Sequence, residues 1–260
     1  MRPLKLLLLL IAGVYVLPAA LSALLWWTGE HPGSWRQADW SSAQILPVPA
    51  DDTPAALYIL AARTGGMKGA VSQHSWIVLK GAVSQHSWIV LKGDGASPYE
   101  RWDKVGWGMP IRQNHRPADG LWYSNVPEIV VAVTGERAER LIPQVRDAIA
   151  SYPFAASGGY HIFPGPNSNT FVAHVMRAVP GIAATLPAAA IGRDYPSEGR
   201  LVALDPDRAE FRLSLWGYAG LVVGWDSGFE VNFLGLVAGL DPRRLAIKVP
   251  AFGTYALRGT

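Results

Sequence analysis

Residues 69–80 read GAVSQHSWIVLK, and residues 81–92 read GAVSQHSWIVLK again, an identical tandem copy. In each copy the apolar run that follows the histidine predicts a buried β-strand. Structural repeats normally diverge, and several copies are needed to build a solenoid. Two identical neighbours therefore indicate a recent duplication, or an error in the underlying sequence. Only one copy can occupy the strand position for which the fold was built.

The assignment of the two copies is open. The second copy runs directly into Gly93-Asp94-Gly95, which is a natural turn, whereas the first copy follows residues 64–68. We expect Ser87–Lys92 to be the core strand, with the first copy as an extra edge strand or a bulging loop. The opposite assignment remains as the alternative.

Outward from the duplication, hydrophobic patterns predict an α+β domain. Residues 56–62 (ALYILAA), 99–107 and 128–134 predict strands, and residues 114–120 predict a loop. A helix is expected over residues 135–152, kinked at Pro143. Its apolar side chains recur at helical spacing and are Ala138, Leu141, Ile142, Val145, Ile149 and Tyr152.

The second half of the chain adds a helix and more strands. Asn167 can cap a helix that ends at Pro180-Gly181. Residues 226–228 predict a turn, and the alternating stretch Phe229–Phe233 predicts a strand. The period of two and two acidic residues argue against a second membrane span over Leu221–Leu240, although this segment could still lie against a bilayer. The expected fold is a mainly antiparallel sheet or small barrel packed on two or three helices.

The N-terminus carries a hydrophobic segment. Arg2 and Lys5 precede the uncharged residues 6–28, which at about 1.5 Å per residue can cross a hydrocarbon core of about 30 Å. A cleaved signal peptide with small residues near residues 19–23 is one interpretation. We favour an uncleaved anchor, because apolar residues continue past that point and Trp26 and Trp27 suit a membrane interface.

The expected organisation is an anchor at 1–28, a linker at 29–54 and a globular domain at 55–260. Positive charge before the apolar segment predicts an N-terminus in the cytoplasm. The chain is therefore expected in the inner membrane, with its C-terminal domain on the periplasmic side. The membrane is its first expected partner.

Composition excludes several function classes. Two of the three formal net positive charges belong to Arg2 and Lys5, so the domain is nearly neutral and no nucleic-acid partner is expected. The absence of cysteine excludes disulfides, thiolate metal sites and a cysteine nucleophile. There is no H-E-x-x-H spacing, phosphate loop or dinucleotide fingerprint, so neither metal nor cofactor is expected. Several of the eleven tryptophans are expected in the core or at a membrane interface rather than in a binding platform.

Two sequence features together suggest a site. One is the histidine at the start of a duplicated strand, His86 or its copy His74, and the other is the helix start Asn167-Ser168-Asn169. The first turn of a helix offers unpaired backbone N–H groups that stabilise an anion, and a histidine on an adjoining strand can act as a base. His161 could line the same cleft.

Arg193-Asp194 forms a separate polar pair. It is either a salt-bridged loop or, if Arg193 grips a substrate carboxylate, part of the site.

At these residues the chain resembles the circularly permuted papain-like enzymes, the NlpC-type and lecithin retinol acyltransferase-like group. Their pattern is a strand histidine, a Gly-Asp-Gly turn, and a helix that opens with Asn-Cys and continues to a Phe. The stretch from about Ala55 to Leu257 more closely resembles the uncharacterised domain-of-unknown-function 3750 family of bacterial proteins. That resemblance rests on the His-Ser-Trp strand and on residues 164–171 and 190–195.

The resemblance implies a permuted papain-like fold with Ser168 in place of the family's cysteine. His86 or His74 would be its base, backbone N–H groups near Asn169 its oxyanion hole, and Glu100 or Asp103 the group that orients the histidine. A serine hydroxyl is far less ionised than a thiol and is a poor nucleophile without an aligned base.

We therefore favour a catalytically silent module that binds a peptidoglycan or lipid fragment of the envelope. Its binding residues would be Asn167, Asn169, His161, Arg193 and Asp194. A serine-variant hydrolase or acyltransferase acting on an envelope amide or ester is the alternative. A purely structural membrane-associated role is the third hypothesis.

Overall fold

The computed structural model describes residues 2–49, 53–81 and 99–257. The second copy of the duplication, with His86, Ser87–Lys92 and the turn Gly93–Gly95, lies outside the described residues. The fold is α+β, as predicted: two open antiparallel sheets, two helices packed on the first sheet, and an N-terminal apolar helix. Because both sheets are open among the described strands, the small-barrel alternative does not hold.

The first sheet has five strands in the order β4-β3-β2-β1-β5. Its strands are β1 (Ala56–Arg63), β2 (Gln73–Lys80), β3 (Glu100–Lys104), β4 (Ile111–Gln113) and β5 (Glu128–Thr134). The strands predicted at 56–62 and 128–134 are confirmed, and the one predicted at 99–107 is shorter. β1 and β2 are buried on both faces, which explains why they read as continuous apolar runs.

The first copy of the duplication forms β2, an interior strand between β1 and β3. The preference for the first copy as an edge strand or loop was therefore wrong. The physical reason is chain proximity: a single 3₁₀ turn, Gly66–Ala70, joins β1 to β2, and the Thr64 backbone N–H donates to the Ser72 carbonyl across it. This short connection lets β2 pair with β1 over the full strand, from Ala56↔Lys80 to Arg63↔Gln73.

Two helices cover one face of this sheet. They are α3 (Glu136–Ala150) and α4 (Ser168–Ala178). The apolar face predicted for the first helix is buried as expected, and with Phe171, Val172 and Val175 of α4 it forms the main core against Leu57, Ile59 and Ile77.

The other face of the first sheet carries a smaller core. It consists chiefly of Tyr58, Leu60, Trp76, Val78 and Trp122. The segment predicted as a linker packs on this core: Trp40, Ile45 and Leu46 contact it, and Ser42 Oγ donates to Asp119 Oδ1 at 2.6 Å.

The second sheet is a seven-stranded meander in chain order. Its strands are β6 (Val202–Asp205), β7 (Glu210–Leu215), β8 (Ala219–Gly224), β9 (Gly228–Phe233), β10 (Leu236–Asp241), β11 (Ala246–Val249) and β12 (Gly253–Ala256). β9 and the preceding turn confirm the predicted hairpin strand.

The N-terminal helix comprises α1 (Arg2–Ile11), a π-helical turn (Ala12–Val16) and α2 (Leu17–Trp27). Its 25 residues from Pro3 to Trp27 are long and apolar enough to cross a membrane, and only 11% of its most apolar part is buried. It contacts the domain at two points on one side: Tyr15 Oη donates to the Val231 carbonyl at 3.0 Å, and Ser22 Oγ donates to the Ala70 carbonyl. Such a helix is either a membrane anchor or a signal sequence.

Candidate functional site

The alternation of side chains along β2 decides which predicted residues can meet. Successive residues of a strand point to opposite faces of its sheet. His74 stacks on the Trp122 ring with centroids 3.7 Å apart, on the face of the smaller core. Ser75 points to the helical face, where its Oγ donates to Asn169 Oδ1 at 2.9 Å.

Asn167 starts α4 as the predicted cap. Its side-chain oxygen accepts from the backbone N–H groups of Asn169 at 2.9 Å and Thr170 at 3.1 Å. Its Nδ2 donates to the carbonyls of Ile162 and Ile191, both at 2.9 Å. The backbone donors that the resemblance offered as an oxyanion hole are therefore already occupied by the cap.

Asn169 joins three parts of the chain. Besides accepting from Ser75, it donates through Nδ2 to the carbonyls of Gln73 and Ile191, both at 2.8 Å. Since every polar atom of this buried amide is satisfied, Asn169 positions the start of α4 against β2 and the loop around residue 191.

Ser168 lies beside this network and is only 3% exposed. Burial raises the pKa of the Tyr160 phenol, and the interaction of Tyr160 with Ser168 partly offsets this shift. The structure does not bring Ser168 and His74 together, because α4 packs on one face of the sheet and His74 points to the other.

The remaining predicted site residues do not come together with Ser168 or His74 either. His161 is exposed in the loop before α4, and its backbone N–H donates to the Pro166 carbonyl at 2.9 Å. Arg193 is buried and paired with Glu230, and Asp194 Oδ2 accepts from Asn232 Nδ2 at 2.8 Å. This arrangement corresponds to the salt-bridged alternative for Arg193-Asp194.

His74 belongs instead to a buried cluster around Asp103. Asp103 Oδ1 accepts from His74 Nε2 at 3.0 Å, and the Arg101 guanidinium donates to both carboxylate oxygens, at 2.8 and 2.9 Å. Of the two carboxylates considered as orienting groups, the structure pairs Asp103 with the histidine and Glu100 with Arg146. Asp103 and Arg101 are fully buried.

The cluster has a defined charge state near neutral pH. Burial opposes ionisation of Asp103, but Arg101 and His74 outweigh it and hold the pKa of the carboxyl well below its usual range. Burial lowers the pKa of His74. His115, whose Nδ1 lies 3.4 Å from Asp103 Oδ2, has its pKa lowered by burial to about 4. The carboxylate and guanidinium are therefore charged while both imidazoles are neutral.

One member of this cluster, His115, lines an open cleft of about 430 Å³. That volume lies within the range of small-molecule sites, about 300–1,000 Å³. The cleft is lined by Trp35, Trp40, Trp107, Arg112, His115, Arg116, Trp122 and Tyr123. The lining comes from the segment after the N-terminal helix, from β4 and from the two loops flanking β4.

Arginines lie over the indole rings around this cleft. The Arg116 guanidinium carbon is 4.1 Å from the centroid of Trp40, and that of Arg112 is 5.4 Å from the centroid of Trp107. Among the described residues no carboxylate lines the cleft, since Asp103 lies behind it and is paired with Arg101. The surface is positive and aromatic, which suits a ligand that has an anionic group and an apolar face.

Sequence reasoning missed this cleft. The sequence predicts only a loop over Asn114–Gly120, and it places several tryptophans in the core or at a membrane interface. That assignment holds for Trp76, which is fully buried, but Trp107 is 57% exposed at the cleft. The available signal was the concentration of histidine and arginine in residues 112–116, next to Trp107.

Comparisons with known proteins give a match to one family, and the function of that family is unknown. No curated protein matches the chain. No solved structure matches it, so the papain-like resemblance stays a prediction. Residues 78–195 match the family described as "Protein of unknown function (DUF3750)". This range contains the cap of α4, Asp103 with Arg101 and His115, and most of the cleft lining, so this part of the chain is similar to the DUF3750 family.

Proposed function

We propose that this protein is a membrane-anchored envelope module that binds an anionic saccharide of the peptidoglycan type in the cleft beside Asp103. The observation that carries the proposal is the lining: four indole rings and two arginines around a cavity of about 430 Å³. The C–H face of a sugar ring packs on an indole, and arginine pairs with a carboxylate through two parallel hydrogen bonds.

The Asp103 cluster supports this role as a rigid wall. Arg101 Nη1 donates to the Pro117 carbonyl at 2.8 Å, and the Arg101 backbone N–H donates to Asn114 Oδ1 at 2.7 Å. These bonds hold the loop that carries His115 and Arg116. His115 lines the cleft, and its buried Nδ1 lies 3.4 Å from Asp103 Oδ2, so the imidazole sits between the cleft and the Asp103 cluster.

Binding is a better interpretation than hydrolysis for two reasons. No serine or threonine is among the described lining residues of the cleft. Ser168, the predicted nucleophile, lies on the helical face of the sheet with its first-turn N–H groups occupied by Asn167. We place the domain on the periplasmic side of the inner membrane, where such saccharides occur.

The test is isothermal titration calorimetry of the full-length protein in detergent micelles with a soluble disaccharide-peptide from peptidoglycan. Saturable binding is expected for the wild type. Arg112→Gln and Arg116→Gln should each weaken it by about ten- to a hundredfold, since a charged hydrogen bond contributes about 1.5–3 kcal/mol.

The matched control is Arg243→Gln. Arg243 also lies over a tryptophan, with its guanidinium carbon 5.6 Å from the Trp225 centroid, but in the second sheet. Its substitution should leave binding unchanged. If the wild type fails to bind, or if all three variants bind as the wild type does, the cleft is not a saccharide site.

A further inference from the structure

The second sheet has an unusual distribution of polarity. A sheet with one face in water normally turns its polar residues outward. Here the outward positions of β7, β8 and β9, all within described residues, are apolar. They include Phe211 and Leu215, Leu221 and Val223, and Phe229 and Phe233, which the strand registers place on one face.

The charged residues of the same strands point inward. Glu210 and Glu230 are buried, and Glu230 pairs with Arg193 and Lys248. The outward face remains exposed in spite of its composition: Leu215 is 47% exposed and Phe229 is 46% exposed. Soluble monomers rarely leave so continuous an apolar surface uncovered.

The N-terminal helix lies on this same face. The Tyr15 ring packs on Phe233 with centroids 5.5 Å apart, and its hydroxyl bonds the Val231 carbonyl. Tyr15 precedes the helix end at Trp27 by about 18 Å at 1.5 Å per residue. A helix that crosses a bilayer core of about 30 Å therefore carries Tyr15 below the membrane surface, so the sheet face that touches Tyr15 has apolar surroundings.

From these two observations we infer that the outer face of the second sheet contacts the acyl chains of the bilayer that holds the N-terminal helix. Aromatic residues mark both ends of the face. Trp216 and Tyr218 lie in the β7–β8 turn, and Trp225 lies in the β8–β9 turn at the opposite end. Tryptophan and tyrosine prefer the membrane interface. Arg243 and Arg244 beside Trp225 are placed for anionic headgroups.

The contact is made through one face only. β6 and β12 are the edges of the sheet among the described strands. Unpaired backbone groups at open edges exclude a sheet from spanning hydrocarbon. The inference concerns the second sheet and the helix, and it is independent of any ligand in the cleft.

The test uses the absence of cysteine from the chain, which allows one spin label per full-length protein. Val223→Cys and Leu215→Cys report on the face, Leu9→Cys reports on the exposed side of the helix, and Glu139→Cys reports on the exposed surface of α3. Each protein is placed in vesicles of phosphatidylethanolamine and phosphatidylglycerol. Electron paramagnetic resonance then measures collisions of the label with oxygen, which concentrates in lipid, and with a nickel chelate, which stays in water.

We expect the oxygen-to-nickel ratio at positions 223 and 215 to match that at position 9 and to exceed that at position 139 several-fold. A ratio at 223 and 215 equal to that at 139, with position 9 in lipid, overturns the inference. Protection from both reagents with spin–spin broadening means that a second copy covers the face, and this also overturns it. Intact mass showing removal of the helix would do so as well, because the Tyr15 contact would be absent.

Discussion

The Asp103 cluster makes a quantitative prediction about stability. Asp103→Asn keeps the shape of the side chain and removes its charge, which leaves the fully buried Arg101 guanidinium without a counter-ion. The asparagine oxygen can still accept one hydrogen bond, but its amide group now faces N–H donors of Arg101. Losing one partner of a buried ion pair costs about 3–5 kcal/mol, because the remaining charge is desolvated and unpaired. We expect the free energy of unfolding to fall by that amount.

The assay is chemical denaturation of the full-length protein in micelles at pH 7, followed by circular dichroism. The control is Asp226→Asn, the same substitution in an exposed pair, where Asp226 Oδ1 lies 2.6 Å from Arg243 Nη1. Exposed pairs contribute about 0–1 kcal/mol. Adding Arg101→Met to Asp103→Asn should recover part of the loss, because no charge is then left buried. Equal losses for Asp103→Asn and Asp226→Asn would refute the argument that this ion pair is a buried, coupled unit.

Three further predictions concern the site. The pKa of His115 is lowered to about 4 in the folded protein, so the unfolded chain binds a proton at this residue first as the pH falls. The free energy of unfolding should therefore be full above pH 6.5 and decrease by up to about 3 kcal/mol towards pH 4. A series of denaturation curves at different pH values should show a flatter pH profile for His115→Gln. Gly65→Ala would place a Cβ 2.0 Å from Tyr123 Cδ1, so it should lower the melting temperature and weaken cleft binding, whereas Gly81→Ala, with nothing within 4 Å, should change neither. Asn167→Ala removes three accepted and two donated hydrogen bonds at the start of α4 and should lose about 1–3 kcal/mol of unfolding free energy in the same assay.

Local sequence patterns predict the secondary structure well, because each pattern depends only on residues that are close together in the sequence. The helical spacing from Ala138 to Tyr152 and the cap at Asn167 were read correctly for this reason. The two copies are identical, so their sequences cannot show which of them forms β2. The short connection from β1 determines this, because only the first copy directly follows it.

The candidate site was harder to predict, because its geometry depends on which face of β2 each residue occupies. His74 and Ser75 are neighbours in the chain, yet one contacts Trp122 and the other Asn169. A motif that pairs a strand histidine with a helix start contains no information about that face. The cleft depends in addition on contacts between segments far apart in the chain, such as Arg116 over Trp40, which no local period encodes.

In the proposed membrane-anchored arrangement, the path of the chain places the cleft near the membrane. Trp35 follows the last helical residue, Trp27, by eight positions, and a chain spans at most about 3.3–3.6 Å per residue. The cleft wall at Trp35 therefore lies within about 30 Å of the helix end, and stacking of His31 on Trp26, with centroids 3.6 Å apart, shortens that path. A freely diffusing ligand gains nothing from such proximity. A saccharide that is attached to the membrane or assembled at its surface would meet the cleft within this distance, so membrane-proximal peptidoglycan precursors are the first class to screen.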